Sequence, residues 1–360
     1  MSLRSTCRLR ATLQLSILIL SLQQTAVRGS SWTYTGHGGQ EHWEETFPDC
    51  GGTAQSPINI QTANVSYDRS LPPIEPEGYN AIGSGPFTLR NNGHTVVMSL
   101  SPSMRLRGLP NNFTAVQLHL HWGSPSDSRG SEHRIDGEAF PAEMHIVHYN
   151  SDRYADIGEA KNKPDGLAVL GIFMEVGAAD NPAYGNIFSY LENVSYADQS
   201  VTVPAFDVGQ LLPDHLDQYF RYRGSLTTPP CHQSVLWTVF HHKAQISVSQ
   251  LEKLQTVIFS TKTSIPPIRL QNNVRDPQPL NQRTVYSSCF VAPPGSFSTA
   301  KILAIVFGTF LGILGIFCII HFLYKNHRKS KMEVTGKPEN VVVKSPSQPA
   351  EQVEVKSFHP

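Results

Sequence analysis

An uninterrupted apolar stretch near the C-terminus constrains this chain more than any other feature. Residues 302–324 read ILAIVFGTFLGILGIFCIIHFLY and contain no Asp, Glu, Lys or Arg and a single histidine, His321. As an α-helix they would extend about 34 Å, enough to cross the hydrocarbon core of a bilayer. A basic run follows directly, residues 325–331, and such runs are typical of a cytoplasmic flank. We therefore expect one membrane span at 302–324, with the preceding residues outside the cytoplasm.

The N-terminus carries a second hydrophobic segment of a different kind. Arg4, Arg8 and Arg10 form a basic region, residues 11–20 are mostly apolar, and small residues follow up to Gly29. This order is typical of a secretory signal peptide, and the apolar part is too short to span a bilayer as a helix. We predict that residues 1–29 are a signal peptide.

These two segments divide the chain into regions. Residues 30–290 are predicted to form one extracellular domain, because their length suits a single large domain. Residues 291–301 are rich in Pro, Gly and Ser, which predicts a stalk. The polar composition of residues 325–360 predicts a disordered cytoplasmic tail. Lys+Arg and Asp+Glu both number 29, which argues against nucleic acid as a partner because phosphate binding needs a basic excess.

The exported region contains three cysteines and three glycosylation triplets. An oxidising compartment favours disulfide pairing, and the residues alone allow any two of Cys50, Cys231 and Cys289 to pair. Each N-x-S/T triplet predicts a glycosylated surface loop. The triplets begin at Asn64, Asn112 and Asn193.

Short β-type runs separated by Gly, Pro, Asn and Asp dominate the exported region. Helical patterns are fewer, at residues 182–193 and 247–259. The pattern predicts a β-rich α/β domain with peripheral helices. The predicted strands are residues 87–89, 95–100, 116–121, 142–149, 168–175 and 235–241.

Two of these strands carry histidines with period-2 spacing. His119 and His121 project from the same face of their strand, about 6.6 Å apart along the backbone. His145 shares a face with Glu143 on a second strand. If the strands pair, three imidazoles converge in the way that a catalytic zinc site requires, with a fourth position open. The alternative is that such a histidine pair is only packed or surface-exposed.

Two polar residues favour the metal interpretation. Gln117 and Glu143 each precede a candidate ligand by two residues, on the same face, where they can bond the second ring nitrogen. No H-E-x-x-H motif is present, which argues against a zincin-type protease.

Many short segments, in matching order along the chain, resemble those of the α-class carbonic anhydrases. The resemblance is to their membrane-anchored extracellular group in particular. The resemblance covers residues 32–283. It includes QSPINI at 55–60, NNGH at 91–94, QLHLHWG at 117–123, GSEH at 130–133, AEMHIVH at 142–148 and GSLTTPP at 224–230. It implies a single domain on a large, twisted, mostly antiparallel sheet, and reversible hydration of carbon dioxide to bicarbonate at the outer cell surface.

The resemblance also implies roles for individual residues. One Zn²⁺ would be held by His119, His121 and His145. Their ring partners would be Gln117, Glu143 and the backbone carbonyl of Asn273. Thr227 would accept a hydrogen bond from zinc hydroxide and donate its own proton to Glu132. The substrate would lie against Val147, Val169, Leu226, Thr227, Thr228 and Trp237.

Further roles follow by the same resemblance. His94 would be the proton shuttle, with Tyr34 and Asn92 ordering the connecting waters. Cys50 and Cys231 would form a disulfide, which leaves Cys289 as a free thiol or an inter-chain bridge. Gly308 and Gly312 form a G-x-x-x-G in the membrane span, so a homodimer through that helix or through Cys289 is an open alternative to a monomer.

Two other functions are compatible with the chain. A cell-surface binding module could reuse the fold without catalysis, although the intact histidine triad with Thr227 and Glu132 argues against that as the main role. An enzyme tethered by its tail beside a bicarbonate transporter is the second, and no motif in the tail supports it.

Overall fold

The computed structural model describes residues 32–80, 85–291 and 299–334. The predicted signal peptide therefore lies outside the described residues, as do most of the predicted stalk and the end of the predicted tail. The chain divides into two compact units, residues 1–294 and residues 295–360.

The first unit contains fifteen strands and four short α-helices within the described ranges. The helices are α1 (Trp43–Thr46), α2 (Ile157–Ala160), α3 (Pro182–Phe188) and α4 (Val248–Val257). The strands are β1 (Asn59–Ile60), β2 (Ser66–Tyr67), β3 (Glu75–Glu77), β4 (Phe87–Asn91), β5 (Val96–Ser99), β6 (Arg105–Arg107), β7 (Phe113–Trp122), β8 (Arg134–Ile135), β9 (Ala142–Asn150), β10 (Leu167–Val176), β11 (Ser200–Val203), β12 (Tyr219–Gly224), β13 (Val235–Phe240), β14 (Ala244–Ile246) and β15 (Tyr286–Ser287).

One 13-stranded sheet organises this unit. Its main order is β11-β4-β5-β7-β9-β10-β13-β12-β15-β2, with β3, β6 and β14 attached at the side. Nine of its twelve strand pairs are antiparallel, and the parallel ones are β10 with β13, β10 with β14 and β15 with β2. The predicted fold class, a mostly antiparallel sheet with peripheral helices, is confirmed.

Both faces of the central strands are covered, which is why their burial does not alternate. On β7, Leu118 and Leu120 join a large apolar cluster with Met144 and Ile146 of β9. A second cluster includes Val147 of β9 and Trp237 of β13. The histidines of β7 and β9 therefore belong to a sheet that is packed on both sides.

The predicted strands agree with the structure to within a few residues, and one helix is shorter than predicted. The helix predicted over 182–193 ends at Phe188, and a 3-10 turn at Leu191–Val194 follows. Asn181 caps its start and Pro182 occupies its first turn. The predicted helix at 247–259 is α4, whose N-cap Ser247 forms a reciprocal capping box with Gln250.

A disulfide joins Cys50 to Cys231, with Cα atoms 4.9 Å apart. The pairing that the family resemblance implied is thus confirmed. Cys289 forms no disulfide with another described cysteine of this chain. The asparagines of the three glycosylation triplets, Asn64, Asn112 and Asn193, are all exposed, as occupied acceptor sites need to be.

The second unit contains one long helix, α5 (Thr299–Val334). Its stretch Leu303–Ser330 is the only one in the described residues that is long and apolar enough to cross a membrane. The helix starts before the predicted span at 302 and continues past 324 into the segment predicted as a disordered tail. The basic residues after 324 have high helix propensity, which is compatible with this continuation.

Replacing Leu118 by Ala tests the two-sided packing of β7. Leu118 is 1% exposed, so its truncation leaves a cavity and should lower the free energy of unfolding by about 2–5 kcal/mol. Denaturant titration measures this value. Ile268→Ala is the control, because Ile268 is 61% exposed. Equal losses in the two variants would contradict the assigned packing.

Candidate metal centre

The pairing of β7 with β9 brings the histidines together. The two strands are antiparallel, with His119 opposite His145 and His121 opposite Glu143. A register irregularity between Ala115 and Gln117 precedes this stretch. Because successive residues of a strand alternate between faces, the three imidazoles lie on one side of the sheet.

The three rings converge. Their centroids are separated by 5.0 Å (His119–His121), 5.1 Å (His119–His145) and 4.6 Å (His121–His145). One nitrogen from each ring can be chosen so that all three lie within 4.8 Å of one another. This spacing suits three ligands of a single ion.

The remaining ring nitrogens are fixed by protein acceptors. His119 Nδ1 lies 3.0 Å from Gln117 Oε1, and His121 Nδ1 lies 2.7 Å from the carbonyl oxygen of Asn273. His145 Nε2 lies 2.7 Å from Glu143 Oε1. These contacts leave His119 Nε2, His121 Nε2 and His145 Nδ1 to face the common centre.

A cation fits this arrangement of donors. His121 Nε2 is buried without a hydrogen-bond partner, an expensive state unless something binds it. Burial lowers the pKa of His121 to about 3 and lowers the pKa values of His119 and His145 as well. The rings are therefore neutral, which is the form that ligates metals, and imidazole nitrogens suit Zn²⁺.

Glu143 connects the site to His133, a residue without a role in the predicted site. Glu143 Oε1 lies 2.7 Å from both His133 Nδ1 and His145 Nε2, and its Oε2 accepts the backbone N–H groups of Glu132 and His133. Burial alone would raise the Glu143 pKa, but the two rings hold it well below its usual value. The ionised carboxylate thus fixes His145 in one orientation.

His133 is itself held from its other side. Its Nε2 lies 2.6 Å from the Tyr222 hydroxyl, which donates to Ser56 Oγ at 2.9 Å. Nothing local in the sequence marks this chain of contacts, because Ser56 and Tyr222 are far apart in the chain.

Glu132 and Thr227 lie beside the histidines. Glu132 Oε2 is 3.4 Å from His121 Nε2, and Glu132 Oε1 accepts the backbone N–H of Arg275 at 2.9 Å. Burial raises the pKa of Glu132, and hydrogen bonding from the Thr227 hydroxyl opposes that shift. Both side chains are buried.

Arg275 was absent from the predicted site. Its buried guanidinium donates to Gln55 Oε1 and to the carbonyls of Ser56 and Cys50. It therefore ties the segment around the disulfide to the backbone that contacts Glu132.

Four of the six predicted substrate residues form an apolar group. Val147, Val169 and Trp237 are buried in one cluster, and Leu226 packs against it. Val169 pairs with both Val147 and Trp237 across neighbouring strands. Thr228 is half-buried, and its carbonyl accepts the backbone N–H of Cys231.

His94 stacks on Trp32, with ring centroids 3.8 Å apart and planes 12° apart. Burial lowers the pKa of His94. The Asn92 side chain accepts the backbone N–H groups of His94 and Thr95, so it shapes the turn that carries His94. The Tyr34 hydroxyl is buried without a hydrogen-bond partner.

Comparison with known proteins agrees with this site. A family model for eukaryotic-type carbonic anhydrase matches residues 38–289. Human carbonic anhydrase 12 is 43% identical over 91% of this chain and 94% of its own length. Dog carbonic anhydrase 6 is 42% identical over 79% of this chain and 88% of its own, and mouse carbonic anhydrase 15 is 36% identical over 80% and 93%.

The fold and the histidine cluster thus define a carbonic anhydrase. The chain belongs to the eukaryotic-type carbonic anhydrase family, and it is an enzyme of that class. The family is zinc-dependent, and the cluster His119, His121 and His145 could hold a metal ion.

Removing the amide that fixes His119 should weaken metal retention. In Gln117→Ala, His119 loses its 3.0 Å contact, and such partners change metal affinity by about 10–100-fold. The measurement is Zn²⁺ loss to a chelator from the purified full chain. Ser99→Ala is the control. Ser99 lies on β5 opposite Gln117 of β7 and does not contact a histidine ring. Unchanged zinc loss in Gln117→Ala would contradict the role of this contact.

Trp32 is expected to contribute to the lowered pKa of His94. In Trp32→Ala the imidazole is more solvated, so its pKa should rise toward the ordinary value of 6.5. Histidine NMR signals followed across pH measure it. Tyr34→Phe, which leaves the stack on Trp32 in place, should give the wild-type pKa. An unchanged value in Trp32→Ala would refute burial by Trp32 as the cause.

Proposed function

We propose that this enzyme catalyses the reversible hydration of carbon dioxide at the outer cell surface, with one Zn²⁺ held by His119, His121 and His145. The observation that carries the proposal is the convergence of three neutral imidazoles, each fixed through its other nitrogen. Zn²⁺ in such a site lowers the pKa of a coordinated water and supplies hydroxide near neutral pH.

Thr227 and Glu132 orient the attacking oxygen in this proposal. With Glu132 accepting a hydrogen bond from the Thr227 hydroxyl, the threonine oxygen is left as an acceptor toward the nucleophile. The Arg275 backbone N–H, which donates to Glu132 Oε1 at 2.9 Å, helps keep the carboxylate in place. The effect is one of orientation, which aligns the attacking lone pair with the substrate carbon.

The apolar group of Val147, Val169, Leu226 and Trp237 receives carbon dioxide. The substrate is uncharged and linear, so a wall of buried side chains suits it better than hydrogen-bond donors do. This wall also excludes water from the face that the substrate occupies. Thr227 and Thr228 provide the polar edge at which bicarbonate forms and leaves.

His94 carries the proton that each turnover releases. A lowered pKa keeps the imidazole mostly neutral at pH 7, and the neutral ring can accept a proton. As the pH falls below that pKa the ring becomes protonated and can no longer accept. Proton transfer through His94 should therefore slow toward acid pH.

The location at the outer surface rests on three features of the chain. The basic run after residue 324 favours a cytoplasmic C-terminus. The Cys50–Cys231 disulfide is typical of an oxidising compartment. The exposed Asn64, Asn112 and Asn193 fit a domain that passed through the secretory pathway.

Substituting His94 by Ala should slow turnover while the protein keeps its zinc. Losing a positioned acid–base group costs about 10²–10⁴-fold in the step that it serves. Stopped-flow hydration in a weak buffer measures the loss, and added imidazole should restore part of the rate. A parent rate for His94→Ala without imidazole would show that the proton leaves by another route.

Glycan mapping tests the orientation. Cells expressing the full chain should yield a protein whose mobility increases after endoglycosidase treatment, because the acceptor triplets would lie in the lumen. Replacing Asn64, Asn112 and Asn193 together by Gln should abolish the shift. The domain would be cytoplasmic if the wild-type chain carried no glycan and its N-terminal half were protected from protease added to intact cells.

A further inference from the structure

A cavity of about 440 Å³ lies apart from the histidine cluster, next to strands β12 and β15. Its lining combines arginines with apolar side chains. The lining includes Asp68, Arg221, Arg223, Leu236, Arg283 and Tyr286.

Arg221 is the unusual member of this lining. It is only 6% exposed. Its Nε donates to Thr238 Oγ1 at 3.1 Å, and its guanidinium carbon lies 4.8 Å from the centroid of the Tyr219 ring. Among the residues that the structure describes, its Nη2 has no hydrogen-bond acceptor, and no carboxylate lies within ion-pair distance. Burial disfavours the charged form of Arg221, and hydrogen bonding with the Tyr219 side chain favours it. A buried guanidinium without a carboxylate counter-ion is still costly, so an anion that reached it would be favoured.

The other charged groups around the cavity do not neutralise Arg221. Arg223 lies near enough to repel it. Arg283 uses its N–H groups on the carbonyls of Leu280, Arg223 and Pro279. Asp68 is the one acid in the lining, and its Oδ1 accepts from the backbone and hydroxyl of Ser70. Three arginines against one aspartate leave the cavity with an excess of positive charge.

We propose that this cavity binds a monocarboxylate with an apolar body, with the carboxylate on Arg221. A guanidinium offers two parallel N–H donors that match the two oxygens of a carboxylate. The volume exceeds what a carboxylate alone would fill, and Leu236 and Tyr286 provide apolar contact for the rest of the ligand. The proposed carboxylate site takes no part in the proposed reaction, so its test is independent of the metal centre.

The test uses the full chain in detergent and para-fluorobenzoate as the probe, with binding followed by fluorine NMR. Arg221→Met keeps an unbranched side chain of similar width and removes the guanidinium and its charge. It should weaken the probe's affinity at this site about tenfold or more, since hydrogen bonds to charged groups are among the strongest. Arg221→Lys keeps the charge but lacks the two parallel N–H donors of a guanidinium, so it should weaken the probe's affinity by a smaller factor.

Two controls make the outcome specific. Arg90→Met makes the same change at an exposed arginine on β4, paired with Asp198, and should bind the probe as the wild type does. Para-fluorobenzyl alcohol has the same ring without the carboxylate and should not bind at this site. Melting temperatures of all variants establish that each is folded, and Arg221→Met should be no less stable than the wild type without ligand.

Equal affinity of Arg221→Met and wild type for para-fluorobenzoate would overturn the proposal, because any binding elsewhere is common to both proteins. Binding of the alcohol as tight as that of the acid would overturn it too, since the cavity would then recognise only the ring. An Arg221-dependent loss, with Arg221→Lys intermediate and Arg90→Met unaffected, is the result that the proposal requires.

Discussion

The pairing of β7 with β9 is the constraint on which the site depends. It sets His119 opposite His145 and places His121 two pairs further along, opposite Glu143. A shift of this register by one residue would turn every side chain of one strand to the other face of the sheet. The apolar side chains of both strands resist such a shift, because Leu118, Leu120, Met144 and Ile146 are all buried in the core. The packing that stabilises the sheet thus also positions the ligands.

Contacts within the two strands and with distant segments hold each imidazole in one orientation. The Asn273 carbonyl bonds His121, while its side-chain oxygen accepts the Trp122 backbone N–H. Glu143 holds His145 and is itself satisfied by His133 and two backbone N–H groups. Arg275 connects this region to the carbonyl of Cys50, next to the disulfide. A metal entering such a site meets ligands that need little reorganisation, which favours tight binding.

The alternating pattern predicted the local part of this arrangement, and the family resemblance predicted two long-range contacts, His121 with the Asn273 carbonyl and Cys50 with Cys231. Other long-range contacts were missed. Alternation of apolar and polar residues along 116–121 was enough to place His119 and His121 on one face, because the period of a strand is a property of the backbone. The contacts of His133 with Tyr222, and of Arg275 with Gln55, join segments far apart in the chain, so no periodic pattern reports them. The end of α3 at Phe188 was missed for a related reason, since the 3-10 turn at Leu191–Val194 buries Leu191 and Val194 and so resembles a continued helix in the sequence.

The most direct test of the central claim, that the three histidines hold a zinc ion on which the reaction depends, is to remove and restore the metal. Zinc content and stopped-flow carbon dioxide hydration are measured on the same samples of the full chain, during dialysis against a chelator and after zinc is returned. The account predicts that the rate falls in proportion to bound zinc, recovers on its return, and is maximal at about one zinc per chain. Rapid hydration by a zinc-free sample would contradict it.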